Sequence, residues 1–220
     1  VKGMIVMSEQ QELQAKTAIV HAMRPQERLA SFYRSRKSKS MYLILANDAG
    51  DYLPIRISNH RAFSGFLSVP TFELFPATRL ETDIRAYLAT ADWIPFTYQD
   101  FFVLSLVKYG HHRGSMIQID DSYLTFSEET QAIAFYQVVR SHKQIVMNGL
   151  SVKMNQVLGK LYATDLIGSF TKDGLLLVYL TEGGRRLLDL SANKYMDQFI
   201  QDYATLNWRV LDVPSNTSED

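Results

Sequence analysis

From Ser8 onward the apolar positions recur at helical spacing: Leu13, Thr17 and Val20 share one face, with Ala15, Ile19 and Met23 close by. Ser8 reads as the N-cap, and Glu9 and Glu12 suit the positive end of the helix dipole. Pro25 cannot continue an interior turn, so the pattern predicts a break there and a second helical piece over Gln26–Tyr33. The period then changes. MYLILA (41–46) and YLPIRIS (52–58) flank NDAGD, whose residues favour a tight turn, and this is the clearest β-hairpin in the chain. Leu53, Ile55 and Ile57 alternate with Pro54 and Arg56, which predicts one buried and one wet face, and Pro54 predicts a sheet edge.

Residues 61–76 are aromatic and punctuated by proline, without a sustained period. Helices are predicted over Thr78–Thr90 and Thr97–Tyr109, and a second hairpin over MIQIDDSYLTF (116–126). Ser127 reads as the cap of a long helix ending at Asn148-Gly149, with an incomplete capping box because Thr130 stands where Glu would. Ser151 reads as the cap of the next helix, to about Ala163. A hairpin around Lys172-Asp173-Gly174 follows, and then a final helical stretch that includes Leu187–Tyr203. The pattern gives an α+β fold: a helix plus hairpin sheet in the N-terminal half, and a helical C-terminal third with a wing-like hairpin. Three segments are expected, an α+β domain over 1–126, a winged-helix-like domain over 127–213 and a disordered polar tail over 214–220.

Composition narrows the function classes. Lys+Arg and Asp+Glu balance at 23 each, so any drive toward an anionic partner has to come from local asymmetry. The chain has no cysteine, which removes disulfides, thiolate metal sites and a cysteine nucleophile, and fits a reducing compartment. No window approaches a membrane span, and a cytoplasmic location without membrane contact is expected. Two asymmetries stand out. No acidic residue occurs between Thr130 and Thr164, where Arg140, Lys143, Lys153 and Lys160 are basic. The run RPQERLASFYRSRKSKS (24–40) sets six basic residues against Glu27, and Arg34, Arg36, Lys37 and Lys39 read either as a phosphate-binding arm or as a solvated loop.

The C-terminal pattern resembles a winged helix-turn-helix, with MarR-like regulators as the nearest comparison. The features that carry it are the helix SVKMNQVLGKLYATD, the Lys172-Asp173-Gly174 hairpin tip, and Leu180-Thr181-Glu182-x-Gly184-Arg185-Arg186-Leu187-Leu188 after the hairpin. Met154, Val157, Leu158 and Leu161 form the apolar stripe of that helix, leaving Lys153, Gln156 and Lys160 opposite, with Asn155 and Gly159 beside them. Lysines neutralise phosphates and amides pair with adenine edges, so the resemblance implies that Lys153, Asn155, Gln156 and Lys160 face double-stranded DNA. It implies that Lys172 sits on the wing and that Arg140, Lys143, Arg185 and Arg186 meet phosphates. The departure is the short chain between Arg140 and Gly149, barely enough for the second helix of such a motif. A shorter likeness lies in the first hairpin. Its Ser38-x-Ser40-x-Tyr42 entry and Ile55-Arg56-Ile57-Ser58-x-His60 exit resemble a signature in small proteins of bacterial plasmids and phages.

Catalytic constellations are sparse. His111-His112 are adjacent, so their side chains diverge, and no carboxylate stands at ligand spacing on the same element. Asp120-Asp121 read as turn residues. The chain lacks Glu-x-Lys, G-x-S-x-G and a P-loop, and no metal or cofactor is expected. The leading expectation is a non-catalytic DNA-binding protein, a homodimeric regulator or accessory factor of a mobile element. One alternative is an accessory or inhibitor that binds a host protein through the aromatic, acidic region 63–102. A second is a metal-dependent nuclease built on Asp48, Asp51 and His60.

Overall fold

A computed structural model describes residues 8–34, 40–59, 69–109, 154–172 and 175–205, together with strands at 116–119, 122–127, 132–137, 145–147 and 150–152. For residues 109, 116–156, 170–177 and 205 the description is of the backbone alone.

The first helix, α1 (Glu9–Ala22), starts where the sequence places it. Ser8 Oγ accepts from the Gln11 N–H, and the Gln11 side chain accepts from the Ser8 N–H, a complete capping box. The helix ends before Pro25, but the expected second helical piece is strand β1 (Glu27–Arg34). β1 pairs antiparallel with β2 (Met41–Asn47), and a register shift between Leu29 and Ser31 breaks its alternation. That irregularity, with helix-forming Glu, Arg, Leu and Ala at its start, hides the strand from periodicity.

β2 pairs antiparallel with β3 (Tyr52–Ser58), and β3 runs parallel to β4 (Thr71–Glu73), giving a four-stranded sheet in chain order. The expected wet face of β3 does not exist: every residue of that strand is buried. One face of the sheet, with Leu43, Leu45, Leu53, Ile55 and Ile57, packs against α1 and α2 (Ala77–Thr90) through Ile19, Leu80, Ile84 and Leu88. The other face, with Ile44 and Tyr52, packs against α3 (Tyr98–Tyr109), α4 (Met154–Ala163) and α5 (Glu182–Thr205). Nor is β3 an edge strand. Pro54 is tolerated because bonding directions alternate: Tyr52 N–H and Arg56 N–H both point away from β2, to the carbonyls of Ile94 and Pro70. Pro54, midway between them, lacks its donor on that same side.

The second sheet has five strands in the order β10-β11-β7-β6-β5, namely Ile167–Lys172, Leu175–Leu180, Ala132–Gln137, Ser122–Ser127 and Met116–Ile119. Both hairpins read from the sequence are present, β5–β6 and β10–β11. The long helix expected from Ser127 is not, because Ala132–Gln137 forms β7, flanked on both sides by β6 and β11. AIAFYQ is a continuous apolar run, and such a run in an interior strand cannot be told from a buried helix by period. A small hairpin, β8–β9 (Ile145–Met147 and Leu150–Val152), takes Ser151, so α4 begins at Met154 rather than at a Ser151 cap. The boundary expected between residues 126 and 127 falls inside β6, which pairs with β7 along six residues from Ser122↔Gln137 to Ser127↔Ala132. Among the described residues no helix is long and apolar enough to cross a membrane.

Candidate functional site

Polar side chains gather at one end of the first sheet. Pairing places Tyr33, Tyr42, Arg56 and Thr71 in one row across its four strands. The Tyr33 and Tyr42 rings stack at 5.9 Å and 18°. Arg56 is only 5% exposed, and its Nε donates to Thr71 Oγ1 at 2.9 Å. Ser40, just before β2, and Ser58, at the end of β3, are also buried and stand next to this row. A buried guanidinium among hydroxyls is costly in an otherwise apolar sheet and marks a position selected for its chemistry or its specificity.

The turn after α4 docks on this row. Leu166 N–H bonds to Leu161 O at 2.9 Å and Asp165 N–H to Tyr162 O at 3.1 Å, the paired bonds that close a helix with a left-handed residue. Glycine usually takes that position, but here it is Asp165 at φ 58°. Its side chain supplies the reason, since the carboxylate accepts a short hydrogen bond from the Tyr33 hydroxyl, 132 residues away in sequence. Burial pushes the Asp165 carboxyl up to about 6, against the opposing effects of the Tyr33 bond and the Arg56 charge. Burial, and then the Asp165 charge, push the Tyr33 phenol up.

The same turn grips α5. Thr181 Oγ1 donates to Asp165 O at 2.6 Å, with Leu166 O at 3.0 Å, and accepts from the Gly184 N–H at 3.0 Å as the cap of α5. A Cβ on Gly184 would lie 2.0 Å from Leu166 O, and one on Gly183 would lie 3.0 Å from Ile44 Cγ1. Packing therefore demands glycine at Gly184, whereas a Cβ at Gly183 would require the Ile44 side chain to shift by a few tenths of an ångström. Two further bonds fix α4: Tyr52 OH to Thr164 Oγ1 at 3.1 Å, and Lys160 Nζ to Asp100 at 2.6 Å. Asp100, 1% exposed, also accepts from the Thr97 N–H and hydroxyl, so Lys160 neutralises a carboxylate already committed to capping α3.

The DNA-contacting residues expected from the sequence are distributed as follows. Lys160 is held by Asp100 and Pro95 O. Arg185 donates to Leu180 O and lies 4.0 Å from Glu182, which also pairs with Arg186 at 3.1 Å. Arg34 pairs with Glu12. Asn155 and Gln156 lie in the first turn of α4, and Lys172 ends β10 opposite Leu175. Lys153, Arg140, Lys143, Arg36, Lys37 and Lys39 lie outside the described residues, as do His60, His111, His112, Asp120 and Asp121.

Outward on α4, Gly159 is exposed and a Cβ there would meet nothing within 4 Å, and Tyr162 is 43% exposed. Asp48 and Asp51 lie at the opposite end of the first sheet. Asp51 N–H bonds to Asn47 Oδ1 at 2.9 Å, and Gly50 takes φ 89° to close that turn. His60, the third residue of the alternative built on Asp48 and Asp51, lies outside the described residues. No group of three or more metal-capable side chains occurs among the described residues.

Tyr33 and Asp165 carry no signal in the sequence that marks them as members of a site, whereas Thr181 opens the Thr-Glu-Gly-Gly phrase after the hairpin. The hairpin signature does contain one: its Tyr42 and Arg56 are cross-strand partners. No protein-family model, curated protein or solved structure matches this chain.

Proposed function

We propose that this chain is a non-catalytic DNA-binding protein whose binding surface joins the outer face of α4 to the basic arm 34–39. The observation that carries this reading is the Tyr33–Asp165 hydrogen bond. It ties the end of β1, from which the arm leaves, to the turn that closes α4. That link between β1 and the α4 turn supports reading the arm and α4 as parts of one surface. Gly159 supports the reading: an exposed glycine inside a helix costs about 1 kcal/mol relative to alanine, and no neighbour among the described residues requires it. Close approach of an outside surface to the helix backbone would require it. The signature hairpin favours a regulator or accessory factor of a mobile element.

The test is fluorescence anisotropy with labelled random duplexes over a salt series. Binding should weaken steeply with salt, and replacing Arg36, Lys37 and Lys39 with alanine should flatten the slope by about one unit for each phosphate that is no longer neutralised. Absence of binding at low salt would refute the proposal. A second reading, capture of a host protein, draws support from the ion pairs of Lys160, Arg185, Arg186 and Arg34, each of which already faces a carboxylate of this chain. Under that reading the triple alanine variant keeps its activity.

A further inference from the structure

β1 is an edge strand of the first sheet, so its end has a backbone partner on one side only. Strand ends of this kind are where local opening costs least. The bonding directions fix which amides hold that end. Tyr52 and Arg56 N–H point away from β2, so Leu53, Ile55 and Ile57 bond to it, opposite Leu45, Leu43 and Met41. The alternate residues of β2 turn to β1, which makes Tyr33 and Tyr42 a hydrogen-bonded pair.

The Tyr33 side chain pins the same end from outside the sheet. Its ring lies on Tyr42, and its hydroxyl donates to the Asp165 carboxylate. Asp165 is fixed in turn by the left-handed close of α4 and by its carbonyl, which accepts from the Thr181 hydroxyl. The contact thus joins the end of an edge strand to a firmly bonded junction, and a change at the carboxylate acts on the strand.

We propose that Asp165 is a proton-operated latch on the end of β1. Its protonated form holds Tyr33 against the sheet, and its ionised form lets Tyr33 and Arg34 peel from β2 while the rest of the sheet stays paired. The latch does not depend on DNA binding. The groups that face the carboxylate are Tyr33 from β1 and Arg56 from β3, and those that act on Tyr33 in turn are Tyr42 of β2 and the Thr181 hydroxyl before α5. Charges next to them in the chain are paired, Arg34 with Glu12 of α1 and Glu182 with Arg186 in α5. The Tyr33 bond and the Arg56 charge favour the ionised form, but burial outweighs both and raises the carboxyl to about 6. Peeling of Tyr33 admits water and returns the carboxyl toward its ordinary 3.8. The closed end therefore binds the proton more tightly than the open end, so closure is favoured below pH 6 and weakened above it. These two values make the closed-to-open ratio fall about tenfold between pH 5 and pH 7.5.

Amide exchange followed by NMR on the full chain from pH 5 to 7.5, each rate divided by its intrinsic chemical rate, is the experiment. The Tyr33 and Tyr42 amides should exchange about tenfold or more faster than those of Leu43 and Leu45, without response to low urea, as local opening requires. Their protection should fall about tenfold across the pH range. Asp165→Asn keeps a residue that tolerates the left-handed region and should abolish this slope, and Asp165→Gly, which suits that region better, should do the same. A flat wild-type profile, exchange of Tyr33 and Tyr42 no faster than that of Leu43 and Leu45, or a slope that persists in either variant would each overturn the proposal.

Discussion

The two ends of the first sheet solve the same problem in different ways. At the β2–β3 turn every polar demand is met within five residues: Asn47 and Asp51 bond to each other's backbone, and Gly50 supplies the left-handed step. At the other end, Tyr33, Arg56, Asp165 and Thr181 come from distant stretches of chain, and the left-handed step is taken by an aspartate. Asp51 is replaceable by anything that turns. Asp165 carries a connection between α4, α5 and β1 whose partners are distant in sequence. A carboxylate near a turn is thus a weak pointer to chemistry when its partners are neighbours, and a stronger one when they are not.

The contrast can be broken most severely at Gly184. Gly184→Ala drives a methyl into Leu166 O, and a loss of about 3 kcal/mol or more is expected, read as a lower urea midpoint. Tyr33→Phe comes next. It leaves the Asp165 carboxyl without its donor, and about 1–3 kcal/mol should be lost in chemical denaturation.

A pH series sharpens the comparison further. The Asp165 carboxyl titrates higher in the folded chain than its ordinary value of 3.8, at about 6. Folding therefore favours its protonated form: the stabilisation is complete below pH 4 and disappears as pH rises through 6. Discounted for partial exposure, the loss is on the order of 2 kcal/mol. Asp165→Asn should match the wild type near pH 4 and exceed it in stability at pH 7.5. Equal pH profiles for wild type and Asp165→Asn would remove Asp165 from its special position. The smallest effect concerns α4. Gly159→Ala should raise stability by about 1 kcal/mol while weakening DNA binding, an opposition that a purely structural glycine cannot produce.

Much of the fold is legible in the chain. α1, the β2–β3 hairpin, α2, α3 and the wing-like hairpin announce themselves through caps, turns and period, because each is specified by residues close in sequence. β1 and β7 do not. The first has its alternation broken between Leu29 and Ser31, and the second is an interior strand whose apolar run lacks the polar beats that separate strand from helix. The sheet's second buried face is hidden for a related reason: Arg56 reads as a solvent residue until Thr71 and the docked turn cover it. The candidate site is half visible. Tyr42 and Arg56 lie within a recognisable hairpin, but the pairing of Tyr33 with Asp165 spans most of the chain and leaves no local trace.

Thr181 has a consequence for motion. Its hydroxyl belongs at once to the close of α4 and the start of α5, and Thr181 N–H bonds to Leu166 O at 3.2 Å. Neither helix end can fray alone without breaking the other's closing bonds. The amides of Leu166, Thr181 and Gly184 should then exchange with solvent deuterium through one shared opening, making this junction a single cooperative unit although its parts lie fifteen or more residues apart.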